Sequence, residues 1–199
     1  VIGTFIMVAT YSLFYIMTAF AQAYSRTPAT LSEAGYPMGL GIPANTFTGL
    51  LLMSAIVFAI FISISGIYAD KIGRREWLIW TTVSILIFAL CMPLFLGNGT
   101  PTSVFAFLVI GMALMGMTFG PMAALLPELF PTEVRYSGAS LAYNIASIIG
   151  ATIAAMISLK INALYGLMGV GIYLAINAFL TLLALLASKE TKNVDLTQI

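Results

Sequence analysis

Between Ala34 and Ala69 the chain carries no charged residue, and between Trp77 and Pro127 it again carries none. The interval separating these runs packs five of the fifteen charged residues into seven positions: Asp70, Lys71, Arg74, Arg75 and Glu76. Uncharged apolar runs of such length fit a lipid environment, where a helix satisfies its own backbone. The charged interval, GIYADKIGRRE from Gly66 to Glu76, then reads as a short water-facing loop between two membrane helices.

Bulk composition agrees. The 199 residues are 61% hydrophobic and 8% charged, with mean hydropathy +1.05, where soluble domains carry about a quarter charged residues. A soluble chain of this make-up could not cover its surface with polar groups. A net charge of +1 leaves no basic field for nucleic acid. With Cys91 alone and no histidine, neither an internal disulfide nor a Cys/His zinc site is expected, and Cys91 reads as a packing residue. Val1 lies inside an apolar segment with no charged stretch before it, unlike a cleaved secretory signal. The chain is expected to be a piece of a longer one.

Taken in order, the pattern predicts an all-α integral membrane protein, one domain over residues 1–199, with six spans at about 1–24, 47–68, 77–96, 103–126, 138–157 and 165–187 and a polar tail at 188–199. In span one, Thr4, Tyr11, Tyr15, Thr18 and Gln22 follow steps of seven, four, three and four, which places them on one helical face. Such a stripe faces protein, water or ligand rather than lipid. Interhelical hydrogen bonding or a ligand-facing wall would each account for it. The loop from Arg26 to Asn45 is broken by prolines and glycines. Trp77 and Trp80, at the charged end of span three, suggest an interfacial belt.

In span four, Pro121 after Gly120 removes a backbone donor and crowds the Met117 carbonyl, so a bend or hinge is expected at Gly120 and Pro121. Span five has Ala142, Ala146, Gly150 and Ala154 four apart, a seam for close helix contact. Beside it lie Ser140, Tyr143, Asn144 and Ser147. Asn144 should face the bundle interior, being costly against lipid. Lysine and arginine number six on the side of Lys71, Arg74, Arg75, Arg135, Lys189 and Lys192, against Arg26 and Lys160 on the other. The first side, with both ends of the chain, is therefore expected in the cytoplasm.

Asp70 falls where a helix ends, and the negative end of a helix dipole disfavours a carboxylate unless a cation or another helix start answers it. Lys71, Arg74, Arg75 and Arg135 are candidate partners. Gly66, Asp70, Lys71, Gly73, Arg74 and Arg75 match the G-x-x-x-D-[RK]-x-G-R-[RK] loop, and on them the chain resembles the major facilitator superfamily of secondary transporters. PELFPTEVRYSG, from Pro127 to Gly138, is similar to the loop between the tenth and eleventh helices of its metabolite:proton symporter branch.

The resemblance implies a C-terminal half, six helices of a twelve-helix fold built as three plus three. It implies symport of a small metabolite such as an organic acid or betaine by alternating access in the cell inner membrane, with a missing N-terminal six-helix half as partner. No cofactor is implied beyond a proton gradient. It also implies a gating network of Asp70, Lys71, Arg74, Arg75, Glu128 and Arg135, with Gly66 and Gly73 as loop glycines. The spans hold no titratable Asp, Glu, Lys, Arg or His at membrane depth, so proton coupling is expected in the other half. Substrate contacts here would come from Tyr11, Tyr15, Thr18, Gln22, Tyr143 and Asn144. The competing reading is a truncated or structural membrane protein without transport of its own. A membrane enzyme is disfavoured, because no His, Cys or acidic constellation is present.

Overall fold

A computed structural model describes residues 2–148, 150 and 154–188. Span one is α1 (Ile2–Tyr15), a π-helical turn (Ile16–Phe20) and α2 (Ala21–Arg26). It is followed by α3 (Ala44–Ile72), α4 (Arg74–Leu96), α5 (Pro101–Glu128), a 3₁₀ turn (Thr132–Val134), α6 (Arg135–Ile148) and α7 (Ala154–Ala187). Five helical stretches, among the described residues, are long and apolar enough to cross a membrane by length and composition: Ile2–Arg26, Ala44–Ile72, Arg74–Leu96, Pro101–Glu128 and Met156–Ala187, the last of which contains a backbone break at Gly166.

The expected fifth span, 138–157, takes in α6, the helical Gly150 and the start of α7, and positions 149 and 151–153 within it lie outside the described residues. Within α7 the backbone breaks at Gly166 (φ 69°, ψ −171°). A Cβ built on Gly169 would come 2.7 Å from Ile161 Cγ2, although eight residues of straight helix would separate them by about 12 Å. The chain therefore reverses at Gly166. Before the reversal, Asn162 Nδ2 donates to the Pro37 carbonyl at 3.0 Å. After it, α7 runs back until the Leu185 carbonyl accepts from Arg75 at 2.8 Å.

The two ends of the bundle are set by short corners. Between α3 and α4 only Gly73 is non-helical, at φ 128°, so the expected eleven-residue loop is mostly helix and Gly66 lies inside α3. At the other end, Gly99 at φ 66° leads into Thr100, whose hydroxyl accepts from Ser103 N at 3.2 Å, and Pro101 opens α5 where its missing N–H costs nothing. The long loop folds back on span one. Leu40 N, Gly41 N and Ile42 N donate to the carbonyls of Tyr24, Thr27 and Ser25 at 3.1, 2.8 and 2.7 Å, closing the end of α2.

Packing follows small residues and buried hydroxyls. α3 lies parallel to α5 at backbone range: a Cβ on Gly116 would meet Phe58 O at 2.7 Å, and one on Gly120 would meet Ile62 O at 2.7 Å. The expected seam is present, with Ala142, Ala146, Gly150 and Ala154 all buried. A Cβ on Gly150 would collide with Tyr11 Cβ of α1. Against α1 from the opposite side, Thr181 Oγ1 accepts from Ala9 N at 3.1 Å and donates to Phe5 O at 2.7 Å, so one hydroxyl spans a single rung of the helix. Asn177 Nδ2 donates to Ser12 Oγ at 3.0 Å. Such pairs hold membrane helices together without a hydrophobic drive between them.

Candidate functional site

At one end of the bundle, local misfits answer one another. Asp70 stands in the last turn of α3, and Glu128 is the last residue of α5. Each is a carboxylate at the negative end of a helix dipole. Arg74 opens α4, where a cation is equally misplaced. The Gly73 corner brings them into reach. Arg74 Nε and Nη2 donate to Asp70 Oδ1 at 3.1 and 3.0 Å, and Arg74 Nη1 bonds Glu128 Oε1. One guanidinium thus joins the ends of α3 and α5.

Exposure separates the two bonds. The Asp70 side chain is 63% exposed, Arg74 25% and Glu128 13%. The Asp70 contact is largely screened by water, whereas the Glu128 contact is the shielded one.

The other expected members of the network go elsewhere. Arg75 turns to α7, its Nε and Nη2 donating to the Leu185 and Leu186 carbonyls at 2.8 and 3.0 Å. There it adds donors to the last turn of that helix, where Leu185 O also accepts from Ser188 and the dipole favours a cation. Lys71 Nζ lies 5.9 Å from the centroid of the Tyr68 ring. Arg135 bonds within its own loop, to Phe130 O and Thr132 Oγ1, both at 3.3 Å. Among the described residues it makes no ion pair with a carboxylate.

Trp77 differs from the belt expectation. Trp80 is 71% exposed, but Trp77 turns inward, stacks on Tyr68 and donates its indole N–H to Met117 O at 2.9 Å. That carbonyl is the one Pro121 leaves without a helical donor. The neighbouring Gly116 carbonyl accepts from Ser65 Oγ of α3 at 3.0 Å. The expected weak point at Gly120 and Pro121 is thus braced from both flanking helices. Sequence reasoning missed Trp77 and Ser65 in this role, although a proline inside an apolar helix calls for such a donor.

A cavity of about 660 Å³ lies at the same end of the bundle, between α1, α5 and α6. Its walls are mostly apolar, including Met7, Phe119, Met122 and Leu126, with Arg135, Ser140, Thr132, Tyr136 and Tyr143 as polar groups. Of the six expected substrate contacts, only Tyr143 lines it. Tyr11 sits behind, buried edge-to-face on Tyr143 at 5.4 Å, its hydroxyl without a well-formed hydrogen bond among the described residues.

Tyr15, Thr18 and Gln22 form a half-buried stripe on span one, away from this cavity. The π-helical turn runs through the stripe, and Thr18 Oγ1 donates to Phe14 O at 2.7 Å. In the amide orientation that satisfies both partners, Gln22 accepts from the Arg26 guanidinium at 3.2 and 2.9 Å. Asn144 is exposed rather than interior and donates to Ser140 O of its own helix at 2.8 Å. That internal bond lowers the cost of leaving an amide outside the packed bundle. No three His, Cys, Asp or Glu side chains among the described residues are grouped to hold a metal ion.

The family model for sugar (and other) transporters matches residues 38–199. A Haemophilus influenzae protein, named only provisionally as a metabolite transport protein, is 86% identical over 199 residues, which is all of this chain and 45% of that protein. The Escherichia coli inner membrane metabolite transport protein YhjE is 52% identical over 198 residues, 98% of this chain and 43% of its own length. A proline/betaine transporter of Salmonella typhimurium is 31% identical over 149 residues, 73% of this chain and 29% of its own. The chain spans less than half the length of these curated relatives. No solved structure matches it. With a transporter family model covering most of its length, an all-helical bundle of membrane-crossing rods and the Asp70–Arg74–Glu128 cluster, this chain belongs to the sugar (and other) transporter family of the major facilitator superfamily.

Proposed function

We propose that the chain forms one half of a proton-coupled symporter for a small metabolite, an organic acid, a betaine or a similar solute, working by alternating access. The observation that carries this reading is the Arg74 bridge between the ends of α3 and α5. An ion bridge between helix ends is a contact that a rocking carrier could make in one state and part in the other at the end that closes. The six-to-two lysine and arginine count supports placing that end in the cytoplasm. Tyr143 and the Tyr15–Thr18–Gln22 stripe supply polar contacts to the pathway.

Carboxylates of the described residues sit at helix ends or in loops, so the titrating group of the proton step is assigned to the rest of the carrier. Relatives named for proline and betaine transport support a small polar cargo. By itself this half has one wall of a central cavity, and transport requires the second. The test is uptake by the full-length carrier in proteoliposomes, against a panel of carboxylates and betaines, with and without an inward proton gradient. Gradient-driven accumulation of one solute class is expected. Uptake indifferent to the gradient would remove the proton step, and no uptake of any solute would remove the symport reading.

A further inference from the structure

The resemblance counts Arg135 among the gating charges, yet its side chain lines the cavity. Among the described residues it is the one charged side chain in a mostly apolar wall that includes Met7, Phe119, Met122 and Leu126 beside the hydroxyls of Thr132, Tyr136, Ser140 and Tyr143. It is half-buried, its nearest partners are a backbone carbonyl and a hydroxyl, both at 3.3 Å, and no carboxylate among the described residues neutralises it. Long bonds to neutral acceptors leave a guanidinium with donor capacity, since it carries five N–H groups in a fixed fork. A charge beside apolar walls is also less screened than one in open water. Ser140 and Tyr143 add hydroxyls from the next turns of the same helix, and no acidic side chain among the described residues lines the space to receive an ammonium group.

We propose that this cavity binds a small organic monoanion, with the carboxylate on Arg135 and an apolar body against the Met7, Phe119 and Leu126 side, so that Arg135 sets a preference for acids over zwitterions at this mouth. This rests on reading the bundle as one wall of a transport pathway. The assignment uses charge complementarity together with the shape and polarity of the walls: a bidentate carboxylate suits a guanidinium, and a compact alkyl chain suits thioether and aromatic surface.

The experiment uses the full-length carrier in nanodiscs, with Ser140→Cys introduced in a Cys91→Ala background. Ser140 lines the cavity and is exposed, so the new thiol reacts with a small maleimide. Pentanoate is titrated against that rate, beside pentanamide, sodium chloride at equal ionic strength and inorganic phosphate. At a pentanoate concentration about five times its Kd, labelling slows roughly sixfold, as occupancy of one site requires. Pentanamide, chloride and phosphate slow it far less. Arg135→Gln abolishes the protection, and Arg135→Lys retains part of it.

Equal protection by acid and amide, or protection that survives Arg135→Gln, overturns the proposal, as does a thiol introduced by Ser140→Cys that does not label. Protection by phosphate equal to that by pentanoate removes the apolar body from the claim and overturns it in this form. The acid-to-amide comparison needs no change at Arg135 and so stands even where the glutamine variant folds poorly. Labelling is read without transport, so a carrier that binds pentanoate but moves nothing fails the symport reading alone. One that transports but shows no selective protection fails this proposal alone.

Discussion

Replacing Glu128 with glutamine in the full-length carrier tests which bond of the Arg74 cluster holds the corner. Glu128 is 13% exposed and Asp70 63%. A shielded charge-assisted hydrogen bond contributes about 1.5–3 kcal/mol, and an exposed ion pair about 0.2–1 kcal/mol. At roughly 1.4 kcal/mol per tenfold, Glu128→Gln should favour local opening of the corner by roughly 10- to 150-fold, and Asp70→Asn by no more than about fivefold. The readout is amide hydrogen exchange in nanodiscs at Gly73 and Trp77, whose N–H groups bond Ala69 O at 2.9 Å and Gly73 O at 3.0 Å. Exchange there should accelerate by those factors, while amides of the α4 interior stay protected. Asp70→Asn matching or exceeding Glu128→Gln would refute the argument from shielding. No change in either variant would refute the bridge as a fastener of this corner.

Three further perturbations follow from the packing. Trp77→Phe strands the Met117 carbonyl and should cost about 1–3 kcal/mol in thermal unfolding of the carrier; adding Pro121→Ala restores a helical donor, so the double variant should lose less than the sum of the two, and strict additivity would disprove the brace. Gly116→Ala forces a methyl to 2.7 Å from Phe58 O and should cost about 1–3 kcal/mol by overpacking, read as a lowered midpoint in a thermal melt; an unchanged midpoint would show that α3 yields freely. Arg75→Gln removes the donors to Leu185 O and Leu186 O, so exchange should speed up over the last turn of α7 by roughly three- to tenfold, for a loss of about 0.7–1.4 kcal/mol, with Arg75→Lys intermediate.

Element type was legible wherever charge and apolar runs alternated, because lipid permits few alternatives to a helix. The Ala142–Ala154 seam was legible for the same reason: small residues four apart have one geometric use. The eleven-residue charged loop was misjudged because Gly73 alone, at φ 128°, makes the corner, and a helix can run to its last charged residue when a neighbour answers the dipole. Arg75 and Arg135 could not be separated from Arg74 by sequence, since which acceptor a long side chain reaches depends on how α5, α6 and α7 pack. Asn144 followed the rule that amides avoid lipid, but Ser140 O, one turn back, supplied a local partner. Asn177 and Thr181, four apart in an apolar run, carried a readable signal of contact with span one that the charge pattern overshadowed.

The widened turn at Ile16–Phe20 has a bearing on how span one tolerates change. A turn holding one residue more than an ordinary helix needs is a stored insertion, commonly kept where a function depends on it. Deleting a single residue between Ile16 and Phe20 would let the rod close into a regular helix with both flanks near their present places, whereas closing it with the residue kept would swing everything beyond by about 100° about its axis. Gln22 and Arg26 would then leave the line of Tyr15 while the lower half of the rod, held by Asn177 and Thr181, stayed where it is. The extra residue is what allows one continuous rod to obey two different sets of neighbours.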